Sequence, residues 1–221
     1  MQAQEDIRPG ERSAPVNEPF YFTSGLEYIL SFASVTYKGK SDGSALRFAP
    51  VFNLQSFFNF DLNPYSGLIA GVAVRNVGFI YDIPDSDTRM KYRTYNIGIP
   101  LGLKLGNMEK TFLYGGYEME IPVHYKEKRF VDGEKVSKKT GWFSQRVNPL
   151  QSALFVGVQL PYATNLRFKF YLSEFFNRDF TELDDGVETR PYEDIEARVF
   201  YVSFSFNPFR VRGSKVSLHV D

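Results

Sequence analysis

At 221 residues the chain is long enough for one large domain or two small ones. Its 26 basic and 26 acidic residues balance, so no global field attracts nucleic acid, and the absence of cysteine excludes a disulfide framework, a thiolate metal site and a cysteine nucleophile. No stretch approaches 18 apolar residues, which excludes a transmembrane helix.

Residues 1–19 are polar, contain Pro9, Gly10, Pro15 and Pro19, and are expected to form a flexible periplasmic arm. The start lacks the charged and apolar regions of a signal peptide; Ala3-Gln4 reads as the remnant of a cleavage site, so the chain is taken as a mature or trimmed form. From Phe20 onward, alternating segments predict eight strands over 20–36, 45–60, 67–81, 91–106, 111–127, 147–160, 165–178 and 192–207. The connections LNPYS, NMEK and PYAT are short turns. KGKSDGS, IPDSDTRMK and the stretches near 129–146 and 179–193 are long and polar. Short turns on one rim and long loops on the other match a membrane β-barrel. The amino-terminal arm then falls on the short-turn, periplasmic rim.

The fourth segment, YNIGIPLGLKLG, is the most informative. Ile97, Ile99, Leu101, Leu103 and Leu105 share one face; Gly98, Gly102, Lys104 and Gly106 share the other. The second places Phe48, Phe52, Leu54, Phe58 and Phe60 opposite Arg47, Asn53, Gln55, Asn59 and Asp61. The seventh and eighth oppose Phe168, Phe170, Phe204 and Phe206 to Arg167, Lys169, Ser203 and Ser205. In a soluble lipocalin-like barrel the bulky face points inward, but an eight-stranded barrel is barely wide enough to hold its own side chains. So many phenylalanines would overfill it. The reverse placement puts the glycines where space is short. Pro50, Pro100, Pro122 and Pro149 each remove a ladder donor, and bulges are expected there.

RNVGFIYD, YRTYNIGIPLGLKLG and FLYGGYEMEIPVHYK, between Arg75 and Tyr125, resemble the PorT-like outer-membrane β-barrel proteins of Bacteroidetes. RFKFYLSEFFNRDF and FYVSFSFNPF are similar to the last two strands of that family. The resemblance implies an eight-stranded barrel inserted by the β-barrel assembly machinery, with a link in some members to type IX secretion. Unlike barrels that end on an aromatic strand, this chain continues with RVRGSKVSLHVD.

The expected architecture is all-β, a single eight-stranded antiparallel up-and-down transmembrane barrel over 20–210, with a carboxyl-terminal tail over 211–221. Inward phase assigns Glu27, Arg47, Arg75, Lys104, Glu118, Glu120, Arg167 and Lys169 to a lumen charge network, since buried charges of mixed sign neutralise one another. The other reading of these groups is an ion path or a gate. Tyr21, Tyr81, Tyr92, Tyr125 and Tyr171 are expected near strand ends, some of them in interfacial girdles. His124 and His219 have no soft partners that would make a zinc site. Glu182, Asp184, Asp185 and Glu188 lack the spacing of an EF-hand and read as a solvated loop rather than a calcium site. KEKRFVDGEKVSKK reads as an exposed hairpin turning at Asp132-Gly133, the alternative being a grip on lipopolysaccharide phosphates or a partner. No phosphate loop, nucleophile elbow or HExxH is present.

The expectation is a bacterial outer-membrane protein with a structural or interaction role, as an accessory of an envelope or secretion complex. It is not expected to be an enzyme, and no cofactor or metal is expected. Its partners are membrane lipid and lipopolysaccharide, the assembly machinery and an envelope protein. The alternatives are a soluble carrier of an apolar ligand and a membrane-embedded barrel enzyme using Glu118 and Glu120.

Overall fold

The computed structural model describes residues 19–184 and 186–212. The alternating segments form thirteen strands: β1 (Phe20–Tyr37), β2 (Lys40–Gly43), β3 (Arg47–Ala49), β4 (Leu54–Asn63), β5 (Ser66–Asp82), β6 (Thr88–Gly106), β7 (Phe112–Val131), β8 (Glu134–Trp142), β9 (Gln151–Leu160), β10 (Thr164–Tyr171), β11 (Glu182–Asp184), β12 (Val187–Thr189) and β13 (Ile195–Arg212). Antiparallel ladders join β1, β4, β5, β6, β7, β9, β10 and β13 in that order. β13 pairs back onto β1 from Tyr21↔Arg212 to Tyr37↔Ile195, which closes a ring of eight. Closure pairs each of the eight ring strands on both sides, the condition for a sheet to cross lipid. β2 and β3 continue the path of β4 beside β1, β8 extends β7 above the barrel, and β11–β12 is a small separate hairpin.

The two rims differ as the connection lengths require. Pro64-Tyr65, Asn107–Thr111 and Pro161–Ala163 turn the chain on one rim. The opposite rim carries the longer excursions. Two of these are tight at their tips. Lys38-Gly39, between the paired residues Tyr37 and Lys40, and Asp132-Gly133, between Val131 and Glu134, have positive φ at both positions, the two-residue turn that matches strand twist. KGKSDGS, expected as a long loop, is therefore mostly the hairpin β1–β2.

The greasy face looks outward. Ile97, Ile99, Leu101, Leu103 and Leu105 are exposed in alternation with buried or half-buried Gly98, Pro100, Gly102 and Lys104. Phe48, Phe58, Phe168, Phe170, Phe204 and Phe206 also lie on the outer surface. A lipocalin-like cup has the opposite polarity. The outward run from Ile97 to Leu105 spans about 27 Å of strand, or roughly 20 Å of height at a tilt of ~40°. That is close to the apolar band of an outer-membrane barrel.

Several expectations are corrected. Tyr21, Tyr81, Tyr92, Tyr125 and Tyr171 are buried inside the barrel, because each has the inward phase of its strand. The aromatic residues at the rims on the outside are others: Tyr65 and Tyr162 at the short-turn rim, Phe52, Trp142 and Phe143 at the other. The expected second strand is broken. The ladder to β1 is interrupted between Ala49 and Leu54, where the chain leaves the wall at Pro50; just beyond the break Ser31, paired with Arg47 of β3, donates its Oγ to Gly78 O of β5 at 2.6 Å. Pro122 adjoins a register shift at Tyr95/Asn96, as a bulge requires. Pro100 does not: its ladder to β5 skips Gly71 and Val72 but resumes in the same register. Pro149 lies in the loop before β9. The seventh strand ends at Tyr171, short of the expected 178, and β13 reaches Arg212. The expected arm and tail otherwise lie outside the described residues, as do His219 and Asp185.

Candidate functional site: the filled lumen and its mouth

Six of the eight residues assigned to the lumen by phase meet in one layer at mid-barrel. Arg75 Nε lies 3.2 Å from Glu27 Oε2 and its Nη1 lies 3.0 Å from Glu118 Oε1. Arg167 Nη1 is 3.5 Å from Glu27 Oε1, and Lys169 Nζ is 2.8 Å from Glu118 Oε2 and also pairs with Glu120. Three carboxylates thus alternate with three cations, and every one of the six side chains is at most 3% exposed. Neutral donors complete the layer. Ser203 Oγ donates to Glu27 at 2.5 Å, while Tyr171 OH and Asn96 Nδ2 donate to Glu120 at 2.7 and 2.6 Å. Arg75 also donates to Tyr201 OH at 2.8 Å. The Arg75–Glu118 contact is an ion pair without hydrogen-bond alignment. Gly98 makes room for this layer: a Cβ there would stand 2.4 Å from Glu118 Oε1.

The other two residues are elsewhere. Lys104 lies nearer the short-turn rim, donating to Asp61 Oδ1 at 2.5 Å, Tyr21 OH at 3.1 Å and Asn59 Oδ1 at 3.3 Å. Asp61, its counter-charge, has the same inward phase, which is the signal that identifies it. Arg47 is not in the lumen network. β3 is leaving the wall at this point, and the guanidinium turns to Asn76, donating to its backbone O at 3.2 Å and to its side chain.

Between these layers Arg167 is collared by the rings of Phe57, Tyr114 and Phe155 at 5.2–5.4 Å. The cavity left beside it measures about 30 Å³, room for roughly one water.

Above the charged layer the interior is aromatic, not small and polar as expected. Phe175 and Phe176, which follow β10, fold into the barrel mouth. Phe79 meets Phe175 at 5.3 Å and Tyr92 meets Phe176 at 4.9 Å. Tyr192 stacks on Phe176 at 4.6 Å. Polar bonds hold this plug. Tyr125 OH and Tyr192 OH donate to Glu127 Oε2 at 2.6 and 2.7 Å, and Arg146 Nη1 donates to Tyr192 OH at 3.3 Å. Arg146 and Lys139 both pair with Glu182 at the base of the β11–β12 hairpin, the lysine at 2.8 Å. Glu182 is therefore engaged by cations on the protein itself.

Hydrogen bonding from Arg146, then from Lys139, lowers the Glu182 pKa from 4.5 to about 2. The folded value lies below the unfolded one, so this contribution to loop order is complete above pH ~4.5 and is lost as pH falls through ~2. Hydrogen exchange at residues 182–189, corrected for its intrinsic pH dependence, is expected to accelerate on going from pH 5 to pH 2 while the barrel strands stay protected. Glu182→Gln should show the fast loop exchange at pH 7. Equal protection of the loop at both pH values would refute the tether.

No protein-family model and no curated protein matches the chain. Among solved structures it is similar to Ail, the attachment invasion locus protein of Yersinia pestis, with 16% identity over 86% of this chain and 98% of that one, and a TM-score of 0.40. It is also similar to Neisserial surface protein A, at 11% identity over 88% and 97% of the two chains with a TM-score of 0.38. The outer membrane protein OprG of Pseudomonas aeruginosa gives 11% identity over 88% and 97% and a TM-score of 0.35. An even-stranded antiparallel barrel, closed on itself, with lipid-compatible side chains outside and paired charges inside, is the architecture of bacterial outer membranes; the chain is an outer-membrane β-barrel protein.

Proposed function

We propose that this barrel is a closed scaffold of the outer membrane with a structural or interaction role, an accessory component of an envelope or secretion complex. The observation that carries this reading is the occupied lumen. From Lys104–Asp61, through the ion-paired layer, to the Phe175–Phe176 plug, side chains fill the axis. Among the described residues the side chains leave no open path along the axis, and Glu118 and Glu120 are held by cations, which favours a structural role over a channel or a catalytic one. The outer loops suit a partner instead. Bonds among Glu127, Arg146, Tyr192 and Glu182 fix them to the mouth, so a docking surface there would be ordered before binding. The likeness of residues 75–125 to PorT-like barrels supports a type IX-like complex as the setting, with insertion by the β-barrel assembly machinery.

Two measurements test this. In planar bilayers the purified protein should give no stable conductance steps. In cells, a photo-crosslinker on the β7–β8 hairpin should capture a discrete envelope protein. Regular conductance steps would overturn the closed barrel. No crosslinked partner, together with unchanged envelope function on deletion, would overturn the interaction role.

A further inference from the structure

The outer wall carries a basic ladder that the lumen and mouth do not explain. On β6 and β7, Lys91 is registered opposite Lys128, and Arg93 opposite Lys126. On the next ladder Lys128 is registered opposite Lys138 of β8. Like charges directly across a sheet destabilise it. Here two such rungs are stacked, with Arg47 on the far side of the same groove. None of these six cations has an ion-pair partner among the described residues. The nearby carboxylate of Asp82 is taken by Arg89 at 2.6 and 3.0 Å, and Glu127 turns inward to Tyr125 and Tyr192. Relief among the described residues comes from aromatic faces, Lys91 over Phe130 at 4.7 Å and Arg93 over Tyr95 at 5.4 Å, and an external anion would offset the remaining repulsion.

Position identifies the anion. Lys91 and Arg93 continue the outward phase of Ile97, Ile99 and Leu101 on the same strand, so the ladder begins where the lipid-facing belt ends, on the long-loop rim. Tyr95 separates the two and packs against exposed Phe52. A cavity of about 270 Å³ lies between the strand break at Pro50–Val51 and the four opposed cations. Its upper wall is cationic and its lower edge is apolar, with Phe48 and Val51 exposed. A soluble anion would use only the upper wall. A phosphorylated lipid uses both, phosphate above and acyl chains against Ile97 and Ile99. We infer that the groove of Arg47, Lys91, Arg93, Lys126 and Lys128 is a binding site for the phosphates of an outer-leaflet glycolipid. The inference rests on the membrane placement of the barrel and not on the partner or conductance readings.

The test uses the whole protein in nanodiscs doped with bisphosphorylated lipid A or with the same lipid stripped of both phosphates. Retention is read by native mass spectrometry. The phosphorylated form should be retained at least about tenfold more strongly, since several basic residues at a membrane surface together attract anionic lipid. Lys91→Gln/Arg93→Gln/Lys126→Gln/Lys128→Gln should bring that ratio to about one, whereas Lys110→Gln on the opposite rim should leave it unchanged. Relief of like-charge repulsion should leave the quadruple variant at least as resistant to heat-dependent gel migration as the parent in phosphate-free lipid. That readout also shows that the barrel is folded. A ratio near one for the parent, a preference kept by the folded quadruple variant, or full competition by millimolar inorganic phosphate would each overturn the lipid site. A variant that does not fold is replaced by the pair Arg93→Gln/Lys126→Gln, for which the same outcomes decide.

Discussion

Arg75→Met is expected to destabilise the barrel by about 3–5 kcal/mol, the cost of leaving buried charges without their partner. Arg75 is the residue that joins two acids, Glu27 at 3.2 Å and Glu118 at 3.0 Å, and it is fully buried. Its removal leaves three carboxylates facing Arg167 and Lys169 alone. Lys169 is already shared between Glu118 and Glu120, so it cannot move over without abandoning Glu120, and Arg167 reaches Glu27 only at 3.5 Å. The measurement is the midpoint of guanidinium unfolding in detergent, with heat-modifiable migration as an independent probe. Adding Glu118→Gln to Arg75→Met should recover a substantial part of the loss, because the pair leaves together. A loss below about 1 kcal/mol for the single change would mean that solvent reaches the layer and screens it. The filled-lumen account of a closed barrel would then fail with it.

The alternation in β6 was enough to orient the whole wall, because period two admits only two placements and volume excludes one. Phase also placed Glu27, Arg75, Glu118, Glu120, Arg167 and Lys169 inside. Which acid meets which base was not legible, since that depends on register between strands that are far apart in sequence. Glu27 on β1 and Arg167 on β10 are an example. The same gap hid the basic ladder. Lys126 and Lys128 read as part of a basic hairpin until pairing set Arg93 and Lys91 across from them. Phe175 and Phe176 were missed for a different reason. SEFFNRDF keeps enough apolar character to read as strand, but the chain turns inward after Tyr171, and only tertiary packing on Phe79, Tyr92 and Tyr192 shows it. The five buried tyrosines have a separate cause. Tyrosine at a strand end suits an interface, but the inward phase of each of the five decides its burial. At Pro50 the sequence carried a correct warning, a proline in a sheet without edges, and the chain answers by leaving the wall.

Leu101→Arg is the complementary expectation, aimed at the outside of the wall. Leu101 is 53% exposed and central in the run Ile97–Leu105, so in water its replacement by arginine would shift stability by no more than about 0.5 kcal/mol. In a bilayer the same change should cost about 2–4 kcal/mol, because a guanidinium at the midplane loses its hydration. The cost should fall to roughly 0–1 kcal/mol for Leu105→Arg, where the strand nears the short-turn rim and the side chain reaches water by snorkelling. The comparison of depths separates two explanations for any loss. A packing defect would not follow the distance to the rim, since both leucines project from the same strand on the same face. Refolding titrations into lipid vesicles supply the free energies, and the same variants in detergent micelles, whose thin shell admits water, should show a smaller difference between the two positions. Equal, near-zero effects at both depths in vesicles would mean that no hydrocarbon surrounds β6.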